Sequence, residues 1–584
     1  NTKSTLQMHW AQNGPESKSA DLEHHGPVET RVLELLPGGP DDPMEVKLQR
    51  TSLIAKGEYS AMSYAWGSKT QSKTITCGGK YITVPANLHN ALRRLRHESE
   101  PRKLWADAAC INQSDEVEKS QQVSLMRLIF KHAVKVLIWL GPDDTDSAKP
   151  VFELINQIFE RNFQAVPPPE HHVWGRMSIL FNTQWFWRLW CLQEVALAPT
   201  ADVMWGAETI PWERLGFAAA WIRAVPAPTL RFEAMSGIYN ACLMYSLSYG
   251  SEEQEPVSFL QLLTLSRQFI SSDARDKVYG ILGIPTTDSN PDCGDLFLRP
   301  DYTKTVSETY LECAIKIIQQ SGSLRILSYV QHAEQHWVPR WGQYFARTLA
   351  PSETASKTFS ACAGLADLRP QIVGTSLIIS GIEFSPIRHS SETMGEHDMW
   401  GKLFLREYFS AFEKGHLNGP KLLELVSLTL TAGKDWYGSL TQEPNQHVAD
   451  FLAFMSGVFR FGDEDAAFSD VTNPPSGLQA WLFSALNRDF PGLVGDASHF
   501  EEAVRTACSA RKMFITDNGC LGLGPQAMRD GDIVCILSGS IVPLVLRPSR
   551  DKYQLVGEAY IHGIMFGEAC TTEKHLALRS FIIT

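Results

Sequence analysis

The sharpest chemistry in the sequence lies in Trp185–Ala198, WFWRLWCLQEVALA, a run that Pro199 stops. Read as a helix, it places Trp190, Cys191, Leu197 and Ala198 at −4, −3, +3 and +4 from Glu194. A carboxylate in such an apolar collar must be paired, protonated or poised in a cleft, because an unpaired buried charge is costly. Desolvation would raise its pKa, a common property of functional carboxylates. Glu194 is therefore the first catalytic candidate. The alternative is a structural Glu194 that pairs with an arginine or caps a loop amide.

Three polar clusters lie upstream, each after a strand-like run. Tyr59–Trp66 is short and aromatic and leads into Ser63-Tyr64-Ala65-Trp66-Gly67. Lys103–Ile111 reads as a second strand, carrying Asp107 and followed by Asn112-Gln113. Val134–Leu140 is nearly all apolar and ends at Gly141-Pro142-Asp143-Asp144, the pattern of a strand buried on both faces. Between the second and third runs, Asp115 with Glu118 predicts an Asp version of the capping box. Val123, Met126, Phe130 and Ala133 then form a buried stripe at helical spacing. Strand, helix, strand implies a right-handed crossover and a parallel sheet, with ligands beyond the carboxyl ends of the strands. Asp107 joins Glu194 as a catalytic candidate. Asn112 and Gln113 serve equally well as turn and cap residues, and Trp66 and Trp190 as core.

The chain has 584 residues, enough for about three or four domains. Apolar residues make up 44% and charged residues 20%, which excludes a disordered chain, a coiled coil or a fibre. The net charge of −12 argues against broad binding to nucleic acid. Eleven dispersed cysteines with no CxxC pair read as reduced thiols, with neither a disulfide framework nor a zinc site. No apolar run is long enough to span a bilayer and the first residues do not resemble a signal peptide, so a cytoplasmic protein is expected.

Four stretches follow from composition. Residues 1–27 read as a polar leader, 28–225 as an α/β domain, 226–345 as mainly helical, and 346–584 as a mixed α+β region. The last holds a strand pair near 371–383, a helical block at 401–430, and β-hairpins over Gly531–Glu568. Several signals are set aside. Cys110 and Cys191 lack a histidine in a sequence context that marks a base, so a thiol protease is disfavoured. His171-His172 lacks metal-site spacing, and Asp143, Asp144 and Asp146 lack the rest of a calcium loop. Gly519–Gly524 fits a tight turn between strands. Arg275-Asp276-Lys277 is expected to anchor the helical region to the first domain by ion pairing.

SYAWG (63–67), LWADAACINQSDEVEKSQQVSLM (104–126), VLIWLG (136–141) and WFWRLWCLQEVA (185–196) together resemble the heterokaryon-incompatibility (HET) domain of filamentous fungi. ARDKVYGILGI (274–284), RPDYTKTVSETY (299–310), WVPRW (337–341) and the tail from Arg511 to Glu568 resemble later parts of chains that carry it. Ala106 and Ala109 stand where larger aliphatics are usual. The resemblance implies allorecognition, that is, non-self recognition ending in programmed cell death of the fused cell. It also implies a distant likeness to Toll/interleukin-receptor (TIR) domains, whose W-C-x-x-E helix carries the catalytic glutamate of members that cleave NAD. Trp190-Cys191-Leu192-Gln193-Glu194 fits that pattern, with an insertion assumed between Leu140 and Trp185.

On that resemblance Glu194 and Asp107 are the catalytic residues. Ser63, Tyr64, Trp66, Gly67, Asn112, Gln113, Trp190 and Cys191 are the nucleotide-binding ones. No metal and no cofactor are required, and NAD enters as a substrate. The implied partners are a second copy in a homo-oligomer, an incompatibility partner protein and a small-molecule nucleotide. Two other readings compete with it: a self-associating signalling module without catalysis, and an enzyme of fungal secondary metabolism recruited from the family.

Overall fold

The computed structural model describes residues 28–460 and 492–584, apart from 225–234, 251–255, 396–418, 571–577 and a few shorter gaps. The expected leader and the first part of the 401–430 block lie outside the described residues. The chain forms two compact units, residues 1–309 and 310–584.

The first unit is built on a nine-stranded sheet. Its strands are β1 (Glu29–Leu35), β2 (Glu45–Ser52), β3 (Ser60–Tyr64), β4 (Ser72–Cys77), β5 (Lys80–Pro85), β6 (Arg102–Trp105), β7 (Lys135–Gly141), β8 (Ala201–Trp205) and β9 (Glu208–Pro211). They lie in the order β5-β4-β2-β1-β6-β3-β7-β8-β9. The central run β6-β3-β7-β8 is parallel, as the strand–helix–strand pattern requires. The sheet as a whole is mixed, because β1–β2, β1–β6, β4–β5 and β8–β9 pair antiparallel.

Helices α1 (Ala86–Leu95), α2 (Asp107–Cys110), α3 (Glu116–His132), α4 (Ala148–Phe159), α5 (Val173–Phe181), α6 (Leu189–Ala196) and α7 (Trp212–Ala224) follow. Beyond them come α8 (Met235–Tyr249), α9 (Phe259–Leu265), α10 (Asp276–Tyr279) and α11 (Val306–Ser321), so the region after 226 is mainly helical as expected. The predicted stripe of α3 is buried, with Ile129 added to it.

Three local expectations need correction. The second strand does not run to Ile111. It ends at Trp105, because Cys110 and Ile111 turn back to bond the carbonyls of Ala106 and Asp107 and close the short helix α2. Only the Asp half of the capping box forms: Asp115 accepts from the amides of Val117 and Glu118. The Glu118 carboxylate instead binds Arg31 and the Asn112 amide. The Trp185–Ala198 helix is broken at Arg188, whose extended backbone (φ −78°, ψ 125°) separates a 3-10 turn at Gln184–Trp187 from α6.

The second unit is strand-rich. Its strands are β10 (Gln371–Val373), β11 (Ser376–Ser390), β12 (Arg511–Thr516), β13 (Leu521–Pro525), β14 (Ile533–Leu537), β15 (Leu544–Ser549), β16 (Lys552–Glu558), β17 (Tyr560–Ile561) and β18 (Arg579–Ile583). The long β11 pairs with both β14 and β18, which closes β14, β15, β16, β18 and β11 into a ring. Closure removes free strand edges. Helices α12 (Gly419–Leu430), α13 (Pro444–Arg460) and α14 (Ala497–Cys508) supply much of its apolar core. The glycine-rich 519–524 segment supplies the β12–β13 turn at Gly519, where φ is +85°. Gly522 and Gly524 continue into β13, where the Phe514 ring leaves no room for a Cβ at Gly522.

The core of this unit holds an ion pair, Arg511 with Glu558 at 3.1 Å, their side chains 2% and 1% exposed. Removing one member of such a pair strands the other in the interior. Arg511→Ala is expected to cost about 3–5 kcal/mol. The Arg511→Ala, Glu558→Ala double variant is expected to cost less than the sum of the single ones. Urea unfolding of the four chains checks both.

Candidate functional site

The carboxyl ends of β3 and β6 point their continuing segments toward α6. Ser63 and Tyr64 end β3, and Asp107 opens α2 just past β6. Because side chains alternate along a strand, Ser63 and Tyr64 face opposite ways, and they serve two different carboxylates.

The first carboxylate is Asp107. Tyr64 donates its hydroxyl at 2.7 Å and Trp66 its indole N–H at 2.9 Å. The Ala108 amide donates at 2.8 Å and Arg188 contributes an ion pair at 3.1 Å. Asp107 and Arg188 are 13% and 19% exposed, so the pair is partly open to solvent. The guanidinium also lies 5.4 Å from the Trp66 ring centre, in cation–π range. Burial disfavours the Arg188 charge, but Asp107, Cys191 and Glu194 outweigh it and raise the Arg188 pKa.

The second carboxylate is Glu194, only 3% exposed. Its Oε2 accepts the Ser63 hydroxyl at 2.5 Å, and Ser63 in turn accepts the buried Trp185 indole N–H at 2.8 Å. Burial pushes the Glu194 carboxyl up to about 7. Arg188 opposes that shift, Asp107 adds to it, and hydrogen bonds from Ser63 and Cys191 oppose it. Burial and the neighbouring Glu194 push the Cys191 thiol well up, so it stays protonated and serves as a donor. Burial and Asp107 likewise keep the Tyr64 phenol protonated.

The structure thus brings Ser63, Tyr64, Trp66, Asp107, Cys191 and Glu194 into one neighbourhood. Four other sequence candidates stand apart. Gly67 sits exposed beyond β3 with φ +73°. Asn112 bonds locally, its side chain accepting from the Ser114 amide. Gln113 is exposed and donates its side-chain amide to the Asp107 carbonyl at 3.1 Å. Trp190 directs its indole N–H away from Asp107, to Asp276 at 3.1 Å. The Gly141–Asp144 turn holds its own loop, with Asp143 accepting from the amides of Ser147 and Ala148.

Sequence reasoning allowed for an arginine partner but did not name Arg188, and it missed Trp185 as a donor. The signal was present: Arg188 is the one cation within Trp185–Ala198. Arg188 pairs with Asp107, while Glu194 is held by a neutral hydroxyl. No group of three or more metal-ligating side chains occurs among the described residues. Among them, too, no helix is long and apolar enough to cross a membrane.

Comparison with known proteins places similarity in two stretches of the chain. Residues 59–194 match the family described as Heterokaryon incompatibility protein (HET). Residues 491–581 match the Het-6 beta-barrel domain. The chain is 24% identical to Heterokaryon incompatibility protein 6, OR allele, of Neurospora crassa, over 88% of this chain and 90% of that one. No solved structure matches. Residues 59–194, which run from β3 into α6 and contain both carboxylates, are thus similar to a HET domain, and residues 491–581, which hold most strands of the closed ring, to a Het-6 β-barrel domain.

The two protonation states of Glu194 give a stability signature. Its ordinary value is 4.5 and its folded value about 7. Between those pH values the folded chain keeps a proton that the unfolded chain has lost. Stability therefore falls as pH rises across the window, by about 3 kcal/mol in total. Glu194→Gln removes that slope. The variant is expected to match the parent near pH 4.5 and to exceed it near pH 8, as read from denaturant midpoints at both pH values.

Proposed function

We propose that this chain acts in fungal non-self recognition, with the HET domain as its effector. Support comes from the relative it matches along most of both chains, whose name is that of an incompatibility protein. The finer reading is that the effector cleaves the nicotinamide–ribose bond of NAD at Glu194.

One observation carries the chemical part. A buried carboxyl with its pKa near 7 stands beside a guanidinium, at the carboxyl ends of parallel strands. In the proposed reaction the ribose C1′–N bond breaks and its electron pair leaves with neutral nicotinamide. The sugar develops oxocarbenium character, which an ionised Glu194 stabilises. Water adds to C1′ and releases a proton, giving ADP-ribose. Arg188 suits the pyrophosphate, which would compete with Asp107 for its fork of donors. Trp66 offers a ring face for a base. Because Glu194 is 3% exposed, substrate must displace the Asp107–Arg188 pair to reach it.

That same exposure favours a second reading, in which the network is purely structural and the domain signals by association alone. Incubating the full chain with NAD and measuring nicotinamide by chromatography separates the two. The enzyme reading expects release that rises with pH through about 7, as Glu194 ionises. It expects a loss of about 100-fold or more in Glu194→Gln. No release under conditions that permit oligomers overturns the enzyme. Release unchanged in Glu194→Gln removes Glu194 from the mechanism.

A further inference from the structure

The HET match ends at Glu194, yet α6 is held mainly from beyond it. Eight residues of helix are too few to hold themselves. At the entrance to α6, the Ile270 amide donates to the Trp187 carbonyl at 2.6 Å and its carbonyl accepts from the Leu189 amide at 3.0 Å. This bracket forces the extended backbone at Arg188. Midway, the Trp190 indole donates to Asp276 at 3.1 Å. On the next turn, the Gly283 amide donates to the buried side-chain oxygen of Gln193 at 2.7 Å. A Cβ at Gly283 would lie 2.8 Å from both Gln193 and Arg127, so only glycine permits this approach.

Asp276 is the hub of these contacts. Among the described residues, the expected ion pairing of Arg275-Asp276-Lys277 with the first domain does not occur. Arg275 pairs with Asp273 next to it, and Lys277 donates to the carbonyls of Arg267 and Phe269. Asp276 is buried and takes both its hydrogen bonds from neutral donors, Trp190 and the Tyr302 hydroxyl at 2.5 Å. Tyr302 is fixed in turn. Lys119 of α3 lies 3.7 Å from its ring centre, and its amide donates to Ser120 Oγ at 2.9 Å. Tyr302 thus ties α3 to Asp276, and Asp276 ties both to α6.

We infer that residues 270–302 form a latch that sets the position of α6, and that Asp276 is its positioning residue for Arg188 and Glu194. The latch completes the effector from outside the matched domain. It rests on the proposed site but not on catalysis there. Anything that frees Trp190 from Asp276 would loosen the helix that carries Glu194 and begins just after Arg188, while leaving the sheet intact.

Hydrogen exchange by mass spectrometry on the full chain tests this. Asp276→Asn and Trp190→Phe each remove the indole–carboxylate bond. Each should speed exchange in 187–196 about tenfold, the factor that corresponds to one lost buried hydrogen bond. Exchange in β7 and β8 should stay at the parent rate. A second readout is the stability difference between Glu194→Gln and its parent over pH 5–8. It should shrink in the Asp276→Asn background, as Glu194 gains access to water beside Arg188, Asp107, Cys191 and Ser63. Unchanged exchange in 187–196, or an equal rise across the whole first unit, overturns the latch. If Asp276→Asn does not fold, Trp190→Phe decides by the same criteria. Absence of nicotinamide release from the parent chain would overturn the catalytic reading and leave the latch standing.

Discussion

A carboxyl group almost wholly withdrawn from water has to be satisfied by the chain itself, and the first unit is organised around that need at Glu194. Ser63 supplies a hydroxyl, held by the Trp185 indole, and Cys191 supplies a thiol. Arg188 supplies charge from nearby, while its ion pair is made with Asp107. The result is a proton held near neutral pH. A fully paired Glu194 would ionise in the ordinary carboxylate range, and an unsatisfied one would destabilise the fold.

The two carboxylates divide the labour by exposure. Asp107 is ringed by Tyr64, Trp66 and Arg188 and is partly open to solvent. Glu194 is buried close by, with Arg188 as their common neighbour. A ligand offering two anionic oxygens could replace Asp107 at Arg188 without first disturbing Glu194. This ordering sets an accessible pair beside a sealed acid. The second unit solves its own burial problem differently. Arg511 of β12 and Glu558 of β16 meet there as opposite charges in the core.

Much of this was legible in the residues. Strand β7 announces itself by a nearly continuous apolar run ended by Gly141, and β3 by a short aromatic-rich run ended by Gly67. The α3 stripe follows from period alone. Glu194 stood out because a charge among Trp, Cys and Leu requires an explanation. Ser63, Tyr64, Trp66 and Asp107 fell together because loops at the same ends of parallel strands must be neighbours. Other expectations failed for identifiable reasons. The second strand was drawn too long, since an alanine-rich ADAAC fits a helical turn as well as a strand. The helix over 185–198 seemed continuous because nothing local breaks it at Arg188; the break comes from Ile270, far along the chain. Arg275-Asp276-Lys277 suggested ion pairs, whereas the carboxylate met an indole and a phenol.

The sequence by itself determined the strand–helix order, the family resemblance, and the short set of polar residues that could serve a site. These depend on periodicity and local spacing, which a chain carries in one dimension. Only the tertiary structure decided which partner each polar group takes: Arg188 with Asp107, Ser63 with Glu194, Asp276 with Trp190. The reason is physical. These three pairs act over a few ångströms between residues 81, 131 and 86 positions apart, and their choice of partner is fixed by which faces the folded backbone presses together.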